Sequence, residues 1–129
     1  MYLSLVECQS PELLRAYEIV RQANKAARIK ASIGVQAGDV DQAAREVIDT
    51  SGFGKYFTHR TGHGLGLEVH EEPYIKPGND FILEKGMTFT IEPGIYIPNL
   101  GGIRIEDDIF LEDSGATSLT TLSRELINI

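Results

Sequence analysis

The chain has 129 residues, a formal net charge of −7 at pH 7 and a hydrophobic fraction of 42%. This length and composition predict one globular domain over residues 1–129, long enough to bury a core. The acidic balance argues against nucleic acid or a membrane surface as a partner, because both require clustered Lys and Arg. A single cysteine, Cys8, and the lack of a long apolar run favour a cytoplasmic location.

Two amphipathic helices are predicted in the first half of the chain. The stretch Ser10–Glu12 is a helix start, because it supplies a capping hydroxyl, a proline suited to the first turn and a carboxylate at the positive end. Apolar residues then recur every three or four positions to about Lys30. A capping box at Asp39 and Gln42 predicts a second, shorter helix that ends near Gly52.

The second half has a period of two. Met87–Ile97 and Gly101–Leu111 alternate apolar and polar residues and predict strands, and Gly115–Ser123 predicts one more. Helices followed by strands, without strand–helix alternation, indicate an α+β fold with two helices and a mainly antiparallel sheet.

Each long strand carries one carboxylate on its polar side. Phe89 and Ile91 share a face, which leaves Glu92 on the other, and Glu106 lies opposite the apolar face of the next strand. Polar strand faces most often look at water, so this pattern alone does not indicate a site. Asp107 and Asp108 follow directly, and we expect them to cap a turn or face solvent.

All three histidines of the chain lie in the segment His59–Ile75, interleaved with glycines. Gly62 and Gly64 flank His63 and remove side-chain bulk, which permits close approach of backbone or a ligand. An imidazole and two carboxylates on neighbouring strands form a nitrogen–oxygen ligand set suited to a divalent first-row metal.

Three motifs carry a specific resemblance. HRTGHGLGLEVHEEPYI, GMTFTIEPGIYI and GGIRIEDD, in this order, resemble the signature of the pita-bread metallopeptidases, in the branch of Xaa-Pro dipeptidases (prolidases) and aminopeptidases P. The resemblance implies a partial pita-bread (creatinase/aminopeptidase-like) fold, in which residues 1–129 form the C-terminal part of a catalytic domain.

The resemblance also implies a metal centre. His63, Glu92 and Glu106 match ligands of a two-metal site, for which manganese or cobalt is the first choice and zinc or iron the alternative. In the full enzymes two aspartates precede the long helix and complete the centre, and both are expected upstream of Met1. A single partial site is therefore expected in this chain.

The remaining roles follow from the same motifs. His70 would hydrogen-bond the scissile carbonyl, His59 would lie near the substrate backbone, and Arg104 would lie beside Glu106. Glu92 would also accept the proton of the attacking water. Taken singly, His59 could equally be a packed surface residue, and Arg104 could simply neutralise Glu106.

Two functions of different classes are compatible with these residues. One is an Xaa-Pro peptidase segment that hydrolyses the bond before proline in short peptides, weak or inactive alone because the aspartates are missing. The other is a non-catalytic pita-bread-like module that binds a peptide or protein. We also expect a homo-oligomer, with the predicted strand at residues 1–9 at or near the interface.

Overall fold

A computed structural model describes residues 10–126 of the chain. Within these residues two α-helices come first, followed by a short 3₁₀ helix at Gly54–Tyr56 and seven strands. The helices are α1 (Pro11–Lys30) and α2 (Ala37–Thr50). The strands are β1 (Gly62–Gly64), β2 (Glu71–Ile75), β3 (Thr88–Ile91), β4 (Gly94–Ile97), β5 (Gly101–Arg104), β6 (Asp107–Glu112) and β7 (Gly115–Ser118).

The first helix has the predicted bounds. The Ser10 hydroxyl accepts a hydrogen bond from the Leu13 amide at 3.4 Å, and proline occupies the first turn. Seven residues along one side of α1 are buried, which is the apolar stripe expected of a helix packed on a core. Local sequence signals are sufficient for this helix.

The second helix begins earlier than its predicted capping box. It starts at Ala37, and Gln36 at its N-terminus makes no side-chain cap. The free amides of Ala37 and Gly38 instead donate to the carbonyls of Phe81 and Asn79, at 2.8 and 2.7 Å. The capping box at Asp39 is wrong because a distant loop, rather than a neighbouring side chain, satisfies the first turn.

The sheet contains five antiparallel strands in the order β2-β1-β3-β6-β7, and β4 pairs with β5 in a separate hairpin. Both long predicted strands are therefore interrupted. The first passes from the large sheet to the hairpin at Glu92–Pro93, and the second passes from the hairpin into the large sheet at Ile105–Glu106. Consequently Glu92 and Glu106 both lie where the chain passes between the large sheet and the hairpin. The pattern did not predict β1 and β2, whose glycines and proline obscure the alternation.

The core lies between the two helices and the sheet. Helix α1 packs against α2 and contacts strands β3, β4 and β5. This architecture confirms the α+β class with a mainly antiparallel sheet. The buried side chains of the core include Val20, Ala23 and Ala27 of α1, Val40, Ala44 and Ile48 of α2, and Phe89, Ile91, Ile109 and Leu111 of the sheet.

Two expectations concern features beyond these elements. The N-terminal strand expected at an oligomer interface falls in residues 1–9, which lie outside the described residues. Neither helix among residues 10–126 combines the length and apolar character needed to cross a membrane.

Candidate active site

His63 and Glu92 face each other across two neighbouring strands. His63 lies in β1, Glu92 follows β3, and their Nε2 and Oε2 atoms are 3.4 Å apart. The Nδ1 atom of His63 lies 2.9 Å from the Gly64 carbonyl oxygen, which can only accept, so Nδ1 carries the proton in this contact. If the ring is neutral, Nε2 is therefore an acceptor that faces a second acceptor, the Glu92 carboxylate. A cation bound between the two atoms would replace this repulsion by attraction.

Backbone contacts fix the positions of both residues. The His63 amide donates to the Thr90 hydroxyl at 3.1 Å, and the Glu92 amide donates to the Thr61 carbonyl at 2.6 Å. Thr61 is itself held by buried Asp41 of α2, which accepts from its amide and its hydroxyl. The site thus rests on α2 as well as on the sheet.

Glu106 belongs to the same cluster. Burial raises the pKa of Glu106, the charge of Glu92 raises it further, and Arg104 and His63 oppose the increase. Two carboxylates close enough to repel each other are disfavoured unless a cation lies near them. The resemblance-based ligands His63, Glu92 and Glu106 are therefore brought into one neighbourhood, and their role as metal ligands stays a prediction.

His70 lies at the edge of this cluster. Its ring meets the His63 ring edge-on, with centroids 4.6 Å apart. The segment that leads to it is exposed, and Leu67 and Val69 extend into solvent. His70 therefore lies exposed beside His63, and its contact with a substrate stays a prediction.

His59 joins a hydrogen-bonded chain that includes a residue missed by the sequence analysis. Its Nδ1 lies 2.6 Å from the Arg60 carbonyl and its Nε2 lies 2.8 Å from the Tyr96 hydroxyl. Since the carbonyl can only accept, Tyr96 donates to the neutral His59 ring, and Arg104 in turn hydrogen-bonds Tyr96. Burial raises the pKa of Tyr96, and Arg104 moderates the rise. Tyr96 could have been found in the sequence from its place between apolar neighbours on β4. Since alternate residues of a strand point to opposite faces, its ring is directed away from the core.

The glycines around His63 permit close packing of backbone. A Cβ at Gly62 would lie 1.8 Å from the Thr90 carbonyl oxygen, and one at Gly64 would lie 2.0 Å from that of Glu72. The glycines could have admitted either backbone or a ligand, and it is the backbone of neighbouring strands that occupies the space at these two positions.

Asp107 corrects a prediction. Asp107 was expected to cap a turn or face solvent, but it is fully buried and pairs with Arg124 through two hydrogen bonds of 2.9 and 2.5 Å. Asp107 begins β6 beneath α1, so its side chain points inward. Although Asp107 follows Glu106 directly in the chain, the charge of its carboxylate is therefore already neutralised by Arg124.

The donor types suit a divalent cation, but the side chains are not in a coordinating arrangement. Within residues 10–126, no group of three His, Cys, Asp or Glu side chains is arranged to hold a metal ion. A cavity of about 580 Å³ lies elsewhere, between the outer face of α1 and residues 121–125. This cavity contains none of the residues named by the motifs. The candidate site is the cluster of His63, Glu92 and Glu106, with His70, His59 and Arg104 around it.

Comparison with known proteins gives a consistent result. The family model "Metallopeptidase family M24" matches residues 3–113. The putative dipeptidase YkvY of Bacillus subtilis is 49% identical over 118 residues, which cover 92% of this chain and 32% of that protein. The Xaa-Pro dipeptidase of Pyrococcus furiosus is 50% identical over 111 residues, which cover 86% of this chain and 32% of the relative.

Solved structures agree in fold. A dipeptidase from Pyrococcus horikoshii OT3 superposes with a TM-score of 0.88 at 56% identity, over 91% of this chain and 33% of that one. The chain thus spans about a third of the length of the relatives it matches. The predicted partial pita-bread fold and the resemblance that implied it are confirmed. The chain belongs to metallopeptidase family M24.

Proposed function

We propose that this chain supplies part of the active site of an Xaa-Pro peptidase, which hydrolyses the bond before proline in short peptides. The names of the relatives support this substrate class, since they include Xaa-Pro dipeptidases from several organisms. The observation that carries the proposal is the 3.4 Å approach of Nε2 of His63 to Oε2 of Glu92, beside a second carboxylate, Glu106.

This cluster is the proposed ligand set for manganese or cobalt. Imidazole nitrogen and carboxylate oxygen are donors that such divalent ions accept. A bound ion would supply Lewis-acid chemistry that acidifies a water and polarises the peptide carbonyl. His63, Glu92 and Glu106 would hold it, and a partial site with one ion is the form expected of this chain alone.

The protein groups around the cluster have separable tasks. Glu92 would accept a proton from the attacking water, and His70 would donate a hydrogen bond to the oxygen that becomes negative in the transition state. His59 would contact the peptide backbone, in an orientation set by the Tyr96 hydroxyl. Arg104 would partly neutralise the charge of Glu106 and would hydrogen-bond the Tyr96 side chain.

Activity of the chain alone should be weak. The resemblance implies two further aspartate ligands, which a complete two-metal centre would use. A water activated by one loosely held ion is deprotonated less readily than one held by a complete centre.

The alternative is a non-catalytic module that binds a peptide or protein through the same face. The exposed apolar side chains of Leu67 and Val69 beside His70 favour it, since such side chains gain from being covered by a partner. Under this alternative a proline-containing peptide would bind but would not be cleaved.

The test is release of proline from an Xaa-Pro dipeptide by the chain supplied with manganese or cobalt. We expect turnover that is far slower than that of a complete Xaa-Pro dipeptidase, lost on His63→Ala and unchanged on Glu84→Gln, an exposed carboxylate outside the cluster. Peptide binding without turnover would favour the binding module. Turnover that survives His63→Ala would contradict the proposed site.

We also propose that the chain forms a homo-oligomer. Strands β2 and β7 are the outer strands of the described five-stranded sheet, and outer strands offer unpaired backbone groups to another chain. Light scattering across a concentration series tests this. A mass that rises to a dimer or beyond supports it, and a monomer at every concentration contradicts it.

A further inference from the structure

A buried amide on α1 contacts the two chain segments that carry the glutamates. Asn24 is fully buried, which is uncommon for this residue type. Its Nδ2 atom donates to the carbonyl of Ile91 at 3.4 Å and to the carbonyl of Ile105 at 3.2 Å. One side chain on the helix therefore joins two segments that are distant in sequence.

The two carbonyls belong to the residues that immediately precede Glu92 and Glu106. Both sit where a long strand is interrupted: β3 ends at Ile91, and Ile105 lies between β5 and β6. Backbone bonds hold the segments on both sides of the glutamates, since Ile91 pairs with Asp107 in the ladder and the Ile105 amide donates to the Pro93 carbonyl at 3.3 Å. Between these bonds, Asn24 supplies a side-chain donor to both segments.

A neighbouring residue fixes the orientation of the amide. Arg28, one turn along α1, donates from Nε to Oδ1 of Asn24 at 2.7 Å. Because Oδ1 is occupied by a cationic donor, the NH₂ group must face the two carbonyls. The reverse orientation would set a carbonyl oxygen against two others.

We propose that Asn24 is a positioning residue for the metal centre, which sets the distance between the backbones of Glu92 and Glu106 and so the spacing of their carboxylates. This role rests on the proposed function, because it matters only if the two carboxylates hold one ion. An apolar side chain of the same size would fill the space but leave both carbonyls, and the Asp107 carboxylate that Asn24 also hydrogen-bonds, without this donor. The two segments would then keep only the backbone bonds on either side of the glutamates, so we expect their spacing to shift.

The experiment compares Asn24→Leu with Val20→Ala. Val20 is buried on the same helix, one turn earlier, so its truncation weakens the core without touching either carbonyl. Asn24→Ala is the second variant, in case leucine prevents folding. Crystal structures of the metal-free proteins give the distance between the Cα atoms of Glu92 and Glu106.

We expect this distance to change in the Asn24 variants by more than about 0.5 Å, the tolerance of a working site, and to stay within it in Val20→Ala. Titration with cobalt alone, followed by its visible absorption, should show affinity about tenfold weaker and an altered spectrum in the Asn24 variants. The control should retain the parental spectrum.

The crystal structures and the cobalt titration together separate failure of this inference from failure of the proposed function. If cobalt binding by the parent chain does not depend on His63, the proposed function fails, and the crystal structures still decide whether Asn24 sets the spacing. An unchanged Cα distance in the Asn24 variants would overturn the positioning role. A changed distance with unchanged cobalt affinity and spectrum would overturn it as well.

Discussion

Nε2 of His63 and Oε2 of Glu92 lie 3.4 Å apart, and the other imidazole nitrogen of His63 contacts a backbone carbonyl. Such a pair of atoms can share a cation, either a proton or a metal ion. The two residues reach it from β1 and from the end of β3, which are adjacent in the sheet. The glycines around His63 allow the strands to approach this closely.

Replacement of Gly62 by alanine should be strongly destabilising. The new Cβ would lie 1.8 Å from the Thr90 carbonyl oxygen, and a backbone atom in a central strand cannot move aside cheaply. We expect a loss at or above the upper end of about 1–3 kcal/mol in the free energy of unfolding. Urea denaturation measures it.

Gly78→Ala is the matched control. Gly78 has a φ of +72° but open space around its Cβ position, so alanine there carries only backbone strain of about 1 kcal/mol. Equal losses for the two variants would mean that β1 can shift away from β3, contrary to the packing described for His63.

Removal of the Asp41 carboxylate should weaken the fold through a buried ion pair. Asp41 is fully buried and accepts from Arg45 at 2.9 and 3.0 Å, and from Thr61. Asp41→Ala leaves a mostly buried guanidinium without its carboxylate partner, although Arg45 still donates to the carbonyls of Phe57 and His59, and it should cost about 3–5 kcal/mol in the free energy of unfolding. Calorimetry or urea denaturation measures it.

The comparison variant for Asp41 is Asp113→Ala. Asp113 pairs with Lys85 at 2.7 Å, but the two side chains are 77% and 67% exposed. Its removal should cost less than about 1 kcal/mol, because water and salt screen an exposed pair. A similar cost for both aspartates would show that the Asp41–Arg45 pair does not hold the segment before β1.

Tyr17 should make stability depend on alkaline pH. Burial raises the pKa of Tyr17 above its ordinary value of 10.0, and its hydroxyl donates to the Arg124 carbonyl. Because the folded pKa is the higher one, the contribution of Tyr17 is complete below pH 10.0. It is lost as pH rises through the folded value, since the unfolded chain ionises first.

Tyr17→Phe isolates this contribution from other alkaline effects. The free energy of unfolding of the parent should fall relative to that of Tyr17→Phe as pH rises above 10.0, and the difference should be constant below it. A difference that stays constant into the alkaline range, or moves in favour of the parent, would contradict the burial of this hydroxyl.

The sequence predicts those parts of the fold that depend on neighbouring residues. Helix α1 follows from its serine cap, its proline and its apolar stripe, all within residues 10–30. The start of α2 depends on carbonyls of Phe81 and Asn79, about forty residues further along, and no local pattern encodes them. The alternation of the long strands runs through Glu92 and Glu106 without a break, so it cannot reveal where the chain changes sheets.

The same distinction applies to the candidate site. The motifs named His63, Glu92, Glu106 and their neighbours, and the fold brings them together. Tyr96 was missed because a tyrosine between isoleucines is an ordinary strand residue until a distant histidine is placed against it. Asp107 was misassigned because its partner, Arg124, lies in a segment with no strong pattern of its own.

The most direct measurement is a crystal structure of the chain soaked with manganese, with anomalous scattering to locate the ion. We expect a peak at about 2.0–2.3 Å from Nε2 of His63 and from carboxylate oxygens of Glu92 and Glu106. We also expect the His70 ring to stay beside His63. A manganese peak at other residues, or no peak at this cluster at a saturating concentration, would contradict the proposed metal centre.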